Sequence, residues 1–454
     1  MTPIEQACYW MTAERRTPEP SLEGDMSSDF AIVGGGFTGL WTALAFREAD
    51  PAAGVVLIEK NTVGYGGSGR NAGILGETID HSHQLAIAHF GLEEARRLAE
   101  LGRKNVDEMA AFFAANGVDC DFERSGRLYV ALTEAHIEEA QRSIEVAQQL
   151  GVTGLKLLDA QQMQDEIHSP LYLGGMFAPG GGILHPVKLI EGLKRVAVER
   201  GVRIFENTHV SRIRGSELTL QKGRVDAKKV ILATDAYTHH LFPGLLRRFI
   251  PLYDYILVSE PLTPEQHASI GWRNRQGVTD GRTFFNYYRL TADNRVLWGT
   301  SEAVYYAPNR VEAGCDHSER HYEELRRSFQ RHFPQIGELK FPYAWGGPIA
   351  STTRFTPFFG TLEGGRVVYA LGYTGQGVGT TRIAGKILAH LALEKPHELL
   401  DLSMVRRKPF PYPPEPLRAA AVHAVTGALR RVDAGQRPSL FLRLLDWLGL
   451  GFSS

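Results

Sequence analysis

Phe30-Ala31-Ile32-Val33-Gly34-Gly35-Gly36-Phe37-Thr38-Gly39 runs into the apolar-faced stretch 40–47 (LWTALAFR). A turn at Asp50-Pro51 then leads to Val55-Val56-Leu57-Ile58-Glu59. The two short β-branched runs predict buried parallel strands, and the segment between them predicts a helix. The order is strand, GxGxxG, helix, strand, acid. Gly34 permits the tight turn, Gly36 lets the backbone approach a pyrophosphate, and Gly39 lets helix and strand pack closely. The helix N-terminus offers free N–H groups and a positive dipole end to phosphates. Glu59, 25 residues after Gly34, is placed to accept hydrogen bonds from a ribose hydroxyl. An acid there, with no arginine beside it, speaks against a 2′-phosphate. A purely structural glycine loop leaves the strand-terminal acid unexplained. The stretch therefore predicts dinucleotide binding, without choosing between NAD and FAD.

The chain around it has 454 residues, enough for two or three domains. Hydrophobic residues make up 43% and charged residues 22%, a globular composition that excludes a wholly disordered chain. Fifty basic and fifty-one acidic residues give a formal charge of −1, which provides no whole-chain footprint for nucleic acid or an anionic membrane. Three scattered cysteines (Cys8, Cys120, Cys315) fit neither a disulfide scaffold nor a metal site, and suggest a reducing compartment. No run reaches the ~18 apolar residues of a membrane span. The opening MTPIEQACYWMTAERR lacks the layout of a signal peptide. The expected setting is cytoplasmic, with no metal, no nucleic-acid partner and no integral membrane association.

A second glycine-rich loop, GYGGSGRNAGIL at 64–75, follows the second strand almost directly. Its glycines allow close backbone approach, and Ser68, Arg70 and Asn71 suit phosphate and ring edges. Further along stand GGGILHPVKLIEGL at 180–193, VILATDAYT at 230–238 and FFNYYRLTADNRVLWG at 284–299. WGGPIASTTRFTPFFG at 345–360 and LGYTGQGVGTTRIAGKILA at 371–389 complete the series. In these motifs, over about residues 1–400, the sequence resembles the FAD-dependent D-amino-acid-oxidase superfamily. It is similar above all to its γ-glutamylputrescine oxidoreductase and glycine/sarcosine-oxidase-type amine-oxidase branches.

The resemblance implies FAD, with its adenosine on the first βαβ unit and the Ser68–Gly73 loop along the pyrophosphate and ring. It carries over Ala233 and Thr234 as a second flavin-contacting turn, and Val210 as a backbone contact to adenine. The segment Gly372-Tyr373-Thr374-Gly375-Gln376-Gly377-Val378 matches the family's last flavin loop, with Gln376 in place of its usual histidine. The residues themselves agree, because a strand ends there in glycines before a helix begins, and a helix N-terminus favours negative charge. The expected cofactor-binding set is Gly34, Gly36, Phe37, Thr38, Gly39, Glu59, Lys60, Ser68, Gly69, Arg70, Asn71, Ala72, Gly73, Val210, Ala233, Thr234, Gly346, Gly372, Tyr373, Gly375, Gln376, Gly377 and Val378. Some relatives attach the flavin through a cysteine near the WGGP segment or a histidine in the SGRNAG loop. Neither residue type stands there, so a non-covalent flavin is expected.

The implied fold class is α/β with mixed α+β character. A Rossmann-like, glutathione-reductase-type FAD domain carries an inserted antiparallel-sheet substrate domain. The expected division is an arm at 1–27, a discontinuous FAD domain at 28–80, 180–245 and 340–400, a cap at 81–179 and 246–339, and an extension at 401–454. Residues 84–117, 134–150 and 189–199 read as helices, and 126–132 as a strand. Alternating runs at 253–259, 283–289 and 295–299 read as strands of the cap. The tail begins with the proline-rich KPFPYPPEP and ends in SLFLRLLDWLGLGF, read as an amphipathic helix packed on the body, with a membrane-surface role as the alternative.

Only one dinucleotide motif is present. That predicts an organic substrate that itself reduces the flavin, by transfer of a hydride from a C–H next to nitrogen to flavin N5, with hydrolysis of the resulting imine. The expected partners are a small amine or amino acid, and O2 or an electron carrier. His185 is a candidate base or steering group, or a loop histidine bonded to backbone. Arg289 is a candidate clamp for a substrate carboxylate, or a salt bridge within the cap. Tyr288, with Tyr253 and Tyr255, is a candidate pocket wall, and Trp345 is expected beside the flavin. Strand alternation sets Tyr287 and Tyr288 on opposite faces. At 353–357 (TRFTP) an acid frequent in relatives is missing, which points to a different amine specificity. A dehydrogenase using a quinone or carrier, a biosynthetic tailoring enzyme and a tRNA-directed flavoprotein are the rival readings.

Overall fold

The computed structural model describes residues 2–14 and 16–447, organised on two eight-stranded sheets and a two-stranded ribbon. The first sheet runs in the order Phe358–Leu362, Val367–Leu371, Gly223–Leu232, Met26–Val33, Val55–Ile58, Arg203–Phe205. From Val367–Leu371 to Arg203–Phe205 all neighbours are parallel, and Phe358–Leu362 closes one edge antiparallel. Gly223–Leu232 also pairs with Glu217–Leu220, which turns back onto Val210–Arg214.

Where both faces are covered the parallel strands are apolar runs, as at 30–33, 55–58 and 230–232. All four residues of Val55–Ile58 are buried. One face carries helices Phe37–Ala49, Pro186–Glu199 and Gly377–Leu393, whose Trp41, Leu44, Leu193 and Ile387 share a core with Ile32 and Leu57. A methyl on Gly385 would lie 2.7 Å from the Trp41–Thr42 backbone, so two of these helices meet nearly backbone to backbone. The other face packs Val33, Ile58 and Leu232 against Val210, Leu218 and Val225. The helix expected over 40–47 spans Phe37–Ala49, starting immediately at Gly36. The stretch 84–117 is two helices, His83–Phe90 and Leu92–Ala115, broken at Gly91, where φ is +83°.

The second sheet is ordered Tyr343–Ser351, Ile250–Pro261, Arg295–Thr300, Asn286–Leu290, Gly277–Asp280, Arg127–Ala131, Gly174–Ala178, Lys156–Leu158. It is antiparallel except where Gly277–Asp280 runs parallel to Arg127–Ala131. Tyr343–Ser351, expected within the nucleotide-binding segment 340–400, hydrogen-bonds to Ile250–Pro261 and so joins this sheet. The WGGP motif therefore bridges the two halves of the molecule.

One face of the second sheet packs on helix Glu319–His332 through Tyr253, Tyr255, Tyr288, Trp298 and Phe329. Its other face presents Arg127, Tyr129, Asp254 and Tyr287 to a large cavity. Beyond residue 401, helix Leu417–Asp433 crosses that cavity, followed by Leu440–Trp447. The expected terminal helix thus falls on Leu440–Trp447 and on 448–454, the latter outside the described residues. Among the described residues no helix is long and apolar enough to cross a membrane.

Candidate active site at the junction of the two sheets

The first glycine turn has the geometry its sequence predicts. Gly34 has φ +107°, and a Cβ there would sit 2.5 Å from the Ala233 carbonyl oxygen. A Cβ on Gly39 would sit 1.9 Å from the Gly34 carbonyl oxygen. Only glycine permits these approaches. The helix starting at Phe37 has no side-chain cap, and the Phe37 N–H donates to Ser68 Oγ at 2.9 Å. At the end of the second strand, Glu59 accepts from the N–H groups of Gly35 (2.7 Å) and Asn61 (2.9 Å). Burial raises its carboxyl above the ordinary value, partly offset by those donors. Lys60 beside it is exposed, and Val210 is buried at the start of its strand.

The second loop is held from within and from behind. Asn71 Nδ2 donates to the carbonyls of Gly67 (3.1 Å) and Ser68 (2.7 Å), and its Oδ1 accepts from Gly73 N–H (2.8 Å). Gly69 is packed so that a Cβ would meet the Gly64 carbonyl at 2.3 Å. Arg70 pairs with Asp316 at 2.9 Å and donates Nε to the Tyr65 carbonyl, while its guanidinium lies over the Tyr65 ring. The arm behind the loop adds Trp10, whose Nε1 donates to the Asn71 carbonyl at 2.8 Å. Buried Glu206 ties the rest of the arm down, accepting from Lys194 Nζ (2.7 Å), Val63 N–H (2.6 Å) and Glu19 N–H (2.5 Å).

Asp235 links the remaining motifs. Its carboxylate accepts from the N–H of Gly372 (2.9 Å) and of Ala350 (3.3 Å), joining the Ala233-Thr234 turn to the last glycine loop. Burial pushes it up to about 6. Tyr373 closes the ring of contacts, its hydroxyl accepting from Thr38 Oγ at 2.9 Å. Gly372 and Gly375 have φ +89° and +84°. Helix Gly377–Leu393 starts uncapped at Gln376, which, with Gly375 and Val378, lines the cavity.

That cavity is about 950 Å³, lined on one side by Arg70, Asn71, Ala72 and the 375–378 turn, and on the other by the second sheet. Such a volume lies at the top of the range for small-molecule sites. The chain fits a flavin there on its own terms. Arg70 Nη2 is buried with no hydrogen-bond partner among the described residues, a donor that ring acceptors would satisfy. Two uncapped helix starts and the bare backbone of Gly36 supply free N–H groups for a pyrophosphate and a ring edge. Cys8, Cys120 and Cys315 are all buried, and none lines the cavity.

The four residues expected to be catalytic lie outside the cavity lining. His185 is the N-cap of Pro186–Glu199, Nδ1 accepting from Lys188 N–H at 3.2 Å, and its ring packs edge-on against Trp10. Burial pushes it down to about 4, so it is neutral at pH 7. Arg289 gives Nη1 to the carbonyls of Gly73 (3.0 Å) and Leu184 (2.6 Å), and Nε to Leu290. It clamps the second glycine loop rather than facing open space. Tyr288 stacks on Trp298 at 4.2 Å and bonds to the Tyr172 hydroxyl within the core. Trp345 stands behind the loop, Nε1 donating to the Arg70 carbonyl at 2.9 Å, and Gly346 gives its carbonyl to Arg70 Nη1.

Their immediate neighbours line the cavity instead. The Tyr287 hydroxyl donates to Asp254 Oδ2 at 2.9 Å. Enclosure away from bulk water pushes the Asp254 carboxyl up to about 6. Arg127 faces the same space, and its guanidinium makes no hydrogen bond or ion pair among the described residues. In TRFTP, Thr353 and Phe355 line the cavity, while Arg354 is buried and donates to the carbonyls of Pro357, Met404 and Arg407. The alternating period held the signal for Tyr287 and Asp254. Nothing local marked Arg127.

Comparison with known proteins identifies this arrangement. The FAD dependent oxidoreductase (DAO) family matches residues 29–391. The chain belongs to that family. A DAO-family oxidoreductase takes FAD as its cofactor, and the glycine turns described above are where this chain offers room for it. The chain is similar to the γ-glutamylputrescine oxidoreductase of Escherichia coli strain K12, at 29% identity over 90% of this chain and 94% of that protein. It is also similar to the glycine oxidase of Geobacillus kaustophilus, at 24% identity over 83% and 95%. Among solved structures, the L-proline dehydrogenase of P. horikoshii superposes with a TM-score of 0.68 at 18% identity, covering 85% of this chain and 96% of that one. The G. kaustophilus glycine oxidase gives 0.66 at 22%, covering 84% and 99%. At those identities the solved structures establish the fold: an α/β nucleotide-binding sheet joined to a substrate sheet.

Proposed function

We propose that this oxidoreductase oxidises the carbon–nitrogen bond of an amine or amino acid to an imine, which water hydrolyses. The observation that carries the reading is the Asp254–Tyr287 pair, a carboxylate with its pKa raised to about 6 on the cavity wall facing the 70–72 loop. When bound, the flavin supplies the two-electron acceptor for the substrate's C–H hydride. The protein's task is to present the amine neutral and oriented. Above pH 6 the Asp254 carboxylate accepts a proton from a substrate ammonium, and the Tyr287 hydroxyl fixes its orientation. The largely apolar enclosure disfavours the ammonium in the same direction. Anaerobic mixing with a panel of amines, amino acids and hydroxy acids tests the reading. Bleaching of the flavin by amines is expected, and bleaching by hydroxy acids alone would refute it.

Arg127 is proposed to take a carboxylate on that substrate, the role its sequence assigned to Arg289. Its charge is uncommitted, whereas Arg289 spends its donors on backbone carbonyls. A charge-assisted hydrogen bond is worth about 1.5–3 kcal/mol. Arg127→Met should therefore lower kcat/KM for carboxylate-bearing amines relative to neutral amines by about 10- to 100-fold. Steady-state kinetics on one substrate of each kind read this ratio, and an unchanged ratio would remove Arg127 from substrate binding.

The flavin is proposed to be held without a covalent bond, and the acceptor to be O2, with a quinone or carrier protein as the alternative. The cysteines, all buried and none lining the cavity, and the arginine at position 70 support the first point. Acid precipitation should leave the yellow colour in the supernatant, and colour in the pellet would contradict it. Peroxide formed in step with substrate in air would support an oxidase.

A further inference from the structure

The cavity has a wall that lies beyond the family's shared part of the chain. The family match ends at residue 391, yet helix Leu417–Asp433 presents Ala421, Val422, Val425, Leu429 and Val432 to the cavity. These positions repeat at helical spacing, so one continuous apolar stripe faces inward. The stripe is only partly consumed by packing within the protein. A small satellite cluster of Ala428, Leu429 and Leu442, with Phe284, Val425 and Val432 packed against it, forms along one edge, while Val422 and Val425 stay only half-buried and line the cavity.

The helix is fastened at both ends. At its end, the Asp433 carboxylate accepts from the N–H groups of Thr283 (2.7 Å) and Phe284 (2.9 Å), two residues that themselves line the cavity. Arg430 reaches Glu302 at 2.6 Å. At its start, buried Arg418 donates Nη1 to Asn309 Oδ1 at 2.7 Å, and upstream Tyr412 N–H bonds to the Arg247 carbonyl at 2.8 Å. A segment held at both ends with an apolar stripe turned into open space is built to meet something apolar.

We infer that the 410–445 extension is the specificity wall of the site, and that the substrate is an amine carrying an extended apolar substituent lying along this helix. The inference rests on the amine reading above and adds the substrate class to it. The flavin would take up the part of the cavity beside residues 70–72 and 375–378, and the wall that the extension adds to the rest is hydrocarbon.

The test is a series of N-alkylglycines from methyl to octyl. With the flavin-loaded wild type, kcat/KM should climb by about threefold to fourfold per methylene through the middle of the series, as expected for ~0.8 kcal/mol per buried CH2. Val425→Asp should flatten that slope, and Val425→Leu should keep it. A flat series in the wild type, or an undiminished slope in Val425→Asp, overturns the inference. If Val425→Asp fails to retain flavin, the near-isosteric Val425→Thr replaces it with the same expected flattening. Failure of the amine reading is seen separately. Straight-chain alkyl carboxylates, which cannot be oxidised at nitrogen, should perturb the flavin absorbance with Kd falling along the chain. If no amine bleaches the flavin but this dependence persists, the wall stands and the C–N chemistry falls. If amines react with no length dependence in either series, the wall falls alone.

Discussion

Asp254→Asn should lower kcat/KM for amine substrates by about 100-fold or more near neutral pH, the range a positioned general base supplies. The side chain keeps its shape and still accepts from the Tyr287 hydroxyl, but it no longer takes a proton. The wild-type carboxyl is pushed up to about 6 by its enclosure. Below that value it is protonated and cannot accept from an ammonium; above it, the base is available. Log kcat/KM should therefore rise with unit slope below pH 6 and level off above it. In Asp254→Asn this acid limb should vanish and a low profile remain, shaped only by the substrate's own ionisation. Flavin content and Tm should stay close to wild type, because Asp254 makes no contact with the glycine loops beyond strand pairing with Gly347. An Asn variant with wild-type kcat/KM and the same acid limb would show that another group handles the proton. Tyr287→Phe, which removes the orienting donor but leaves the carboxylate, is the intermediate case.

The second large effect concerns the first glycine turn, where two substitutions should fail differently. Gly39→Val places a Cβ 1.9 Å from the Gly34 carbonyl oxygen, a backbone atom that cannot step aside. The helix must move off the strand, and a misplaced core of this kind costs about 1–3 kcal/mol or more. Both flavin content and Tm should fall. At Gly36, by contrast, a Cβ meets only the Ser68 side chain, Oγ at 2.8 Å, which can rotate away at the loss of its bond to the Phe37 N–H. Gly36→Val should fold with nearly the wild-type Tm, yet retain roughly a tenth or less of its flavin, because the branched side chain fills the space a pyrophosphate would use. Absorbance at the flavin band, with a parallel thermal melt, separates the two outcomes. Full flavin occupancy in Gly36→Val would mean that the cofactor's phosphates lie elsewhere.

Much of this architecture is legible in the sequence because its causes are local. The turns at Gly34, Gly372 and Gly375 need conformations that glycine adopts freely, so residue type alone marks them. The first βαβ unit is contiguous over 26–58, and its strands are apolar over 30–33 and 55–58, where both faces are covered. The three segments that share the cavity wall, around residues 70, 347 and 375, each carry a recognisable glycine motif. Reading failed where the outcome depends on which neighbour arrives from far away. Arg289 looks like a free cation in sequence, yet its donors are taken by carbonyls of Gly73 and Leu184. His185 reads equally as a base and as a histidine bonded to backbone, and only the fold brings it the Lys188 N–H that it caps.

By itself, then, the sequence determined the nucleotide-binding unit, the glycine loops and the alternation of the substrate strands, since each follows from conformational preference or a period of two. It also placed Tyr287 opposite Tyr288. Only the tertiary structure decided which of those faces meets the cavity. Alternation is symmetric under exchange of the two sides, and the side is settled by where Glu319–His332 buries its apolar residues. The same holds for Arg127 and for the helix over 417–433. A charge is uncommitted, or an apolar stripe unburied, only relative to the groups that folding brings around it.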